Sequence, residues 1–144
     1  MGFSAGGHLA ASASTLFENA YIDNQKQTSL RPDFSILLYP VISFSDSLTH
    51  LGSRENLIGK NPSASLIKHY SCELQVTSNT PPAFIVHASD DDAVSVKNSL
   101  VYYEALLQKG VFSEMLLYPR GGHGFGMHNK TTTDQWMDLL KHWM

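Results

Sequence analysis

Short apolar runs and helically spaced apolar positions alternate along this chain. Residues 34–39 (FSILLY) are largely apolar and end at Pro40, Ala83–Ala88 reads AFIVHA, and residues 114–118 read EMLLY. Runs of this length without polar alternation predict strands buried on both faces, as in a parallel sheet. Residues 6–17 (GGHLAASASTLF) are rich in small residues, with Leu9, Ala13, Leu16 and Phe17 at helical spacing. A helix is predicted there, and another over residues 96–110, where Leu100, Val101, Ala105 and Leu107 form a stripe and Gly110 supplies a stop. From Thr131 onward a closing helix is expected behind a Thr cap, with Trp136, Leu139, Leu140 and Trp143 on one face and Met137 at its border.

Strands alternating with helices imply an α/β fold, a parallel sheet joined by right-handed crossovers and flanked by helices. Residues 43–82 break the rhythm with turn-rich SFSDS, GKNPSAS and SNTPP around a short helix near 65–70, an insertion placed to overhang a site. No internal repeat or low-complexity tract interrupts the 144 residues, and one domain over 1–144 is expected.

Composition narrows the function. Apolar residues make up 42% and charged residues 16%, a globular balance. The net charge of −3 and the scattered Lys and Arg offer no basic face for nucleic acid. Cys72 is the single cysteine, so no disulfide forms within the chain, and no Cys or His spacing resembles a zinc site. No cofactor or metal is expected. No apolar run is long enough to cross a bilayer, and no membrane partner is expected. Cellular location stays open.

Gly2-Phe3-Ser4-Ala5-Gly6 matches the G-x-S-x-G elbow, in which a strained turn between strand and helix lifts a serine hydroxyl clear of the sheet. The glycines on both sides are expected because a Cβ at either would collide in so tight a turn. The segment after it is helical in pattern, so the backbone N–H of Ala5 is the natural oxyanion donor. The plainer alternative is a turn in which Ser4 only caps the helix.

A nucleophilic serine needs a base and an acid. In α/β hydrolases these follow late strands in the chain order serine, acid, histidine. Asp90-Asp91-Asp92 follows the AFIVHAS run, where open α/β sheets place their sites, and His123 lies in the glycine-rich PRGGHGFG after EMLLYP. An imidazole titrating near neutrality can take the serine proton and return it to a leaving group, while a buried carboxylate fixes its tautomer.

GFSAGGHLA, PPAFIVHASDDDAVSVKNSLVYYEALLQKG and LYPRGGHGFG together resemble the bacterial carbohydrate-esterase branch of the α/β-hydrolase superfamily, the acetyl-xylan and feruloyl esterase-like enzymes. The resemblance covers nearly the whole chain. Its pattern H-x-x-x-D-x-x-V, begun at His87 and kept in step by Val94, selects Asp91 from the triplet, which gives Ser4, Asp91 and His123 as the implied triad. Ser95 stands where the family commonly has Pro. His8 and His87 fall on family positions outside the triad and are read as packing or hydrogen-bonding residues, while no role is assigned to His50, His69, His128 or His142.

The resemblance further implies a serine carboxylic ester hydrolase acting on small esters or acylated carbohydrate through an acyl-enzyme. The family has over a hundred residues before the elbow, including strands and a loop that gives the first oxyanion donor. The chain is therefore expected to be the C-terminal portion of such a fold, with an unpaired sheet edge, marginal stability or self-association, and weak activity alone. Two other readings stay open: a serine peptidase of the prolyl-oligopeptidase type, and a noncatalytic piece acting as an interaction module.

Overall fold

The computed structural model describes residues 1–21, 23–24 and 27–144. Four parallel strands, β1 (Gly2–Phe3), β2 (Ser35–Leu38), β3 (Ala83–Ala88) and β4 (Ser113–Tyr118), lie in the order β1-β2-β3-β4. Helices α1 (Ala5–Thr15) and α4 (Lys97–Gln108) join β1 to β2 and β3 to β4. Between β2 and β3 come α2 (Leu51–Ile58), α3 (Ala64–Tyr70) and a 3-10 turn at Cys72–Gln75, and α5 (Trp136–Trp143) closes the fold. The strand registers place Leu37 beside both Gly2 and Ile85, and Ile85 beside Met115.

Successive strand residues point to opposite faces, so the sheet has two cores. Leu37 and Ile85 join Ala11 of α1 and Tyr102 and Leu106 of α4 on one face. Ile36, Leu38, Phe84 and Val86 join Trp136 and Leu140 of α5 on the other. β2 and β3 are buried along their whole length, as their apolar runs require. β4 differs from expectation: Glu114 and Leu117 are exposed because β4 is an edge strand with a neighbour on one side only.

The helix stripes also turned out differently. The core face of α1 carries Gly7, His8, Ala11 and Ser14, while Leu9 is 73% exposed. In α4 the buried positions are Asn98, Ser99, Tyr102 and Leu106, and Leu100 and Leu107 face outward. Small or polar side chains face inward here because α1 packs closely on the sheet and Asn98 is used as a bracket. Its side chain accepts from the N–H groups of Ile42 and Ser43, both at 3.0 Å, and donates to the carbonyls of Leu48 and Ser95. α5 begins at Trp136 after Gln135, with no side-chain cap, so the expected Thr cap is absent, and Leu139 is exposed. α2 has no counterpart in the sequence reading. Its weakly patterned residues leave no side chain buried, and His50 caps its first turn by accepting from Ser53 N–H. Among the described residues no helix is long and apolar enough to cross a membrane.

Candidate active site

Ser4 sits between β1 and α1 with φ 52° and ψ −121°, a conformation that L residues rarely adopt. Its backbone is bracketed by the chain leaving β2: Ser4 N–H donates to Leu38 O at 3.0 Å, and Ser4 O accepts from Val41 N–H at 3.1 Å. The strain is thus held by hydrogen bonds on both sides of the peptide. The Ser4 side chain makes no cap to α1. Its hydroxyl lies 2.9 Å from His123 Nε2.

The glycine requirement is partly corrected. A Cβ on Gly2 would meet Gly6 O at 2.1 Å, so that position is closed to any side chain. One on Gly6 would meet nothing within 4 Å. The second tight contact belongs to Gly7, where a Cβ would come within 2.6 Å of Pro40 Cβ, because α1 crosses the end of β2 there.

The triplet divides its labour. Asp91, with its side chain fully buried, accepts from His123 Nδ1 at 2.7 Å through Oδ2 and from the N–H groups of Ala93 and Val94, at 3.0 and 2.8 Å, through Oδ1. Burial works to raise the Asp91 pKa. The hydrogen bonds from Val94, His123 and Ala93 outweigh it and hold the carboxyl below its ordinary range. Asp90 accepts from Gly122 N–H at 2.8 Å and so ties down the loop carrying His123, a role the sequence reading did not assign. Asp92 is exposed.

His123 reaches Ser4 from a loop in which Gly122, Gly124 and Gly126 all have positive φ. The loop is pinned from three further directions. Gly126 N–H donates to the Tyr39 hydroxyl at 3.1 Å, Trp136 Nε1 donates to Gly126 O at 3.1 Å, and the buried Asn129 donates to Arg120 O at 2.8 Å. Because Nδ1 faces a carboxylate, it carries the ring proton and leaves Nε2 to accept from the Ser4 hydroxyl. Ala5 N–H is the first amide of α1, one of those a helix leaves without an intrahelical acceptor. A groove of about 380 Å³ lined by Ala5, His8, Phe44, Asn56, Leu57 and Tyr70 opens beside it.

Residues 1–106 match the BD-FAE family, a span that includes Ser4 and Asp91. The chain belongs to the BD-FAE family. An acetylxylan esterase of Xylanibacter ruminicola is 42% identical over 130 residues, covering 88% of this chain and 25% of the relative. Endo-1,4-beta-xylanase B of Butyrivibrio fibrisolvens is 37% identical over 138 residues, covering 94% of this chain and 22% of the relative. Among solved structures, an acetyl ester-xyloside bifunctional hydrolase from Caldicellulosiruptor lactoaceticus superposes with a TM-score of 0.90 at 41% identity, over 99% of this chain and 53% of that one. This BD-FAE chain therefore has part of an α/β-hydrolase fold, and spans about a quarter of the curated relatives and about half of the solved hydrolase.

Proposed function

We propose that this chain carries the nucleophile, base and acid of a serine carboxylic ester hydrolase. The observation that carries the reading is the unbroken path from the strained Ser4 through His123 to the buried Asp91, with links of 2.9 and 2.7 Å. His123 Nε2 takes the hydroxyl proton as Ser4 Oγ attacks the ester carbonyl, and the Ala5 N–H meets the developing oxyanion. The proton passes to the departing alcohol and leaves Ser4 acylated. Water, deprotonated by His123, then attacks the acyl carbon and frees the acid and Ser4. Asp91 stays ionised throughout and balances the imidazolium in each half-reaction.

Small acyl groups on carbohydrate are the substrate class suggested by the acetylxylan esterase and the acetyl ester-xyloside hydrolase among its relatives. The test is labelling by a fluorophosphonate, located by mass spectrometry at Ser4 and compared with Ser4→Ala, followed by acetate release from acetylated xylo-oligosaccharides. Labelling that persists in Ser4→Ala, or none in folded chain, rejects the reading.

A noncatalytic module is a second reading, favoured by one observation: among the described residues the two-residue strand β1 has a neighbour on one side only. The free edge of β1 would then pair with another copy of the chain, a state that sedimentation velocity at several concentrations detects.

A further inference from the structure

We propose that His87 is a positioning residue for Asp91, holding the carboxylate in the plane that serves His123 through an Nε2–H bond to Asp91 Oδ2. This rests on the reading of Asp91 as the acid of a serine esterase. His87 lies on β3, fully buried, four residues before Asp91. Its Nε2 is 3.0 Å from Val94 O and 3.2 Å from Asp91 Oδ2. A carbonyl oxygen only accepts, so Nε2 carries a proton, and that proton is shared between the two oxygens. Nδ1 is 2.7 Å from the hydroxyl of Ser99, itself buried on α4. In a neutral ring with its proton on Nε2, Nδ1 accepts from Ser99, which locks both the tautomer and the ring plane.

The neutral state follows from the surroundings. Burial pushes the His87 pKa down, against the opposing pull of Val94 O and Asp91. The titratable groups facing this cluster are His123 from the loop after β4 and Tyr39 from the end of β2, while Asp90 and Asp92 of the same turn are exposed. A cation in the place of His87 would compete with the imidazolium that forms on His123 for the same carboxylate. A neutral N–H donor steadies the anion without that competition. It also completes the set of donors on Asp91: two backbone amides on Oδ1, and His123 and His87 on Oδ2. With His87 removed, Oδ2 would be held by His123 alone, and the carboxylate could swing as the ring charges and discharges.

The experiment is ring ¹⁵N NMR of histidine-labelled chain, unsubstituted and as Ser99→Ala, His87→Met and His87→Gln, with fluorophosphonate labelling rates on the same samples. His87→Gln keeps a donor near the Nε2 position and His87→Met does not. Expected is a His87 ring protonated on Nε2 alone at pH 8 and 7, and a His123 Nδ1–H resonance that shifts in Ser99→Ala and His87→Met but is kept in His87→Gln. Labelling should slow on the order of tenfold in His87→Met and be largely restored in His87→Gln. A His87 ring protonated on Nδ1, or a His123 resonance that is the same in every variant, overturns the proposal. Ser99→Ala decides the matter if His87→Met does not fold. Absence of labelling in the unsubstituted chain would reject the esterase reading, while the resonances would still decide the role of His87.

Discussion

Tyr39 meets His123 edge to face, with ring centroids 4.9 Å apart and planes at 64°. The same residue has φ 37°, donates its N–H to Val86 O at 2.7 Å and accepts from Gly126 N–H through its hydroxyl. It therefore links the end of β2, which brackets Ser4, to the loop that delivers His123. Tyr39→Phe keeps the ring contact and drops the hydroxyl, so we expect a loss of about 1 kcal/mol in urea unfolding and a several-fold slower phosphonate reaction at Ser4. Unfolding and labelling both unchanged would show that the hydroxyl does not brace the loop.

The two glycines of the elbow helix should behave oppositely. Gly7→Ala drives a Cβ into Pro40 and should cost about 1–3 kcal/mol, the range for overpacking. Gly6→Ala enters open space on α1 and should be neutral or stabilise by up to about 1 kcal/mol through helix propensity. Paired urea midpoints measure both, and equal losses would contradict the close approach described at Pro40.

Substitutions along the aspartate triplet should give a steep gradient in Ser4 labelling. Asp91→Asn removes the charge that orients His123 and is expected to slow acylation by about 10⁴. Asp90→Asn weakens one tether of the loop and should cost about tenfold or less. Asp92→Asn, on an exposed side chain, should change nothing measurable. Rates for the three in one assay are decisive, and a larger effect at Asp90 than at Asp91 would reverse the assignment.

Acid should destabilise the chain in a window set by two buried histidines. Burial pushes the pKa of both His8 and His87 below 6.5, despite the hydrogen bond from His8 Nε2 to Tyr70 O and those from His87. With folded values below the unfolded one, the stability is fully present above about pH 6.5 and is lost as pH falls through the folded values. Urea midpoints at pH 7.5, 6 and 5 should fall in that order. A His8→Gln chain should fall less steeply, and a parallel decline would assign the acid loss elsewhere.

Glu73 titrates with the opposite sign. Its Oε1 accepts from the Ser43 hydroxyl at 2.6 Å, while Oε2 is buried with no partner. Burial raises the carboxyl pKa above 4.5, partly offset by the Ser43 hydrogen bond. The folded state therefore favours the protonated form below about pH 4.5, and that advantage is lost as pH rises through the raised folded value. Glu73→Gln should be more stable than the unsubstituted chain at pH 7, with the difference shrinking toward pH 4. A gain that is constant with pH would point to packing instead of charge.

Much of this architecture is written in local pattern. The runs at β2 and β3 are continuous because both faces of a central parallel strand are buried, and they predict those strands to within a residue or two. The G-x-S-x-G elbow, the aspartates after β3 and the glycines around His123 are short-range signals, since strained turns and positive φ restrict residue type at fixed offsets. Those signals pointed to Ser4, to the aspartate triplet and to His123, and the pattern begun at His87 selected Asp91, the member that the fold brings to His123.

What the sequence could not specify depends on residues far apart in the chain. Gly7 is required because Pro40 crosses it, and Gly6 is not, although the motif counts Gly6. The inward faces of α1 and α4 carry His8, Ser14, Asn98 and Ser99 beside Ala11, Tyr102 and Leu106, and not the stripes that spacing predicts, because close packing and polar brackets set those faces. Asp90, Tyr39 and His87 gain their roles through Gly122, Gly126 and Ser99, partners 12 to 87 positions away. Local sequence determined which residue types could do the chemistry. Only the tertiary structure decided how they are held, because each restraint is a contact between segments joined by the sheet rather than by the chain.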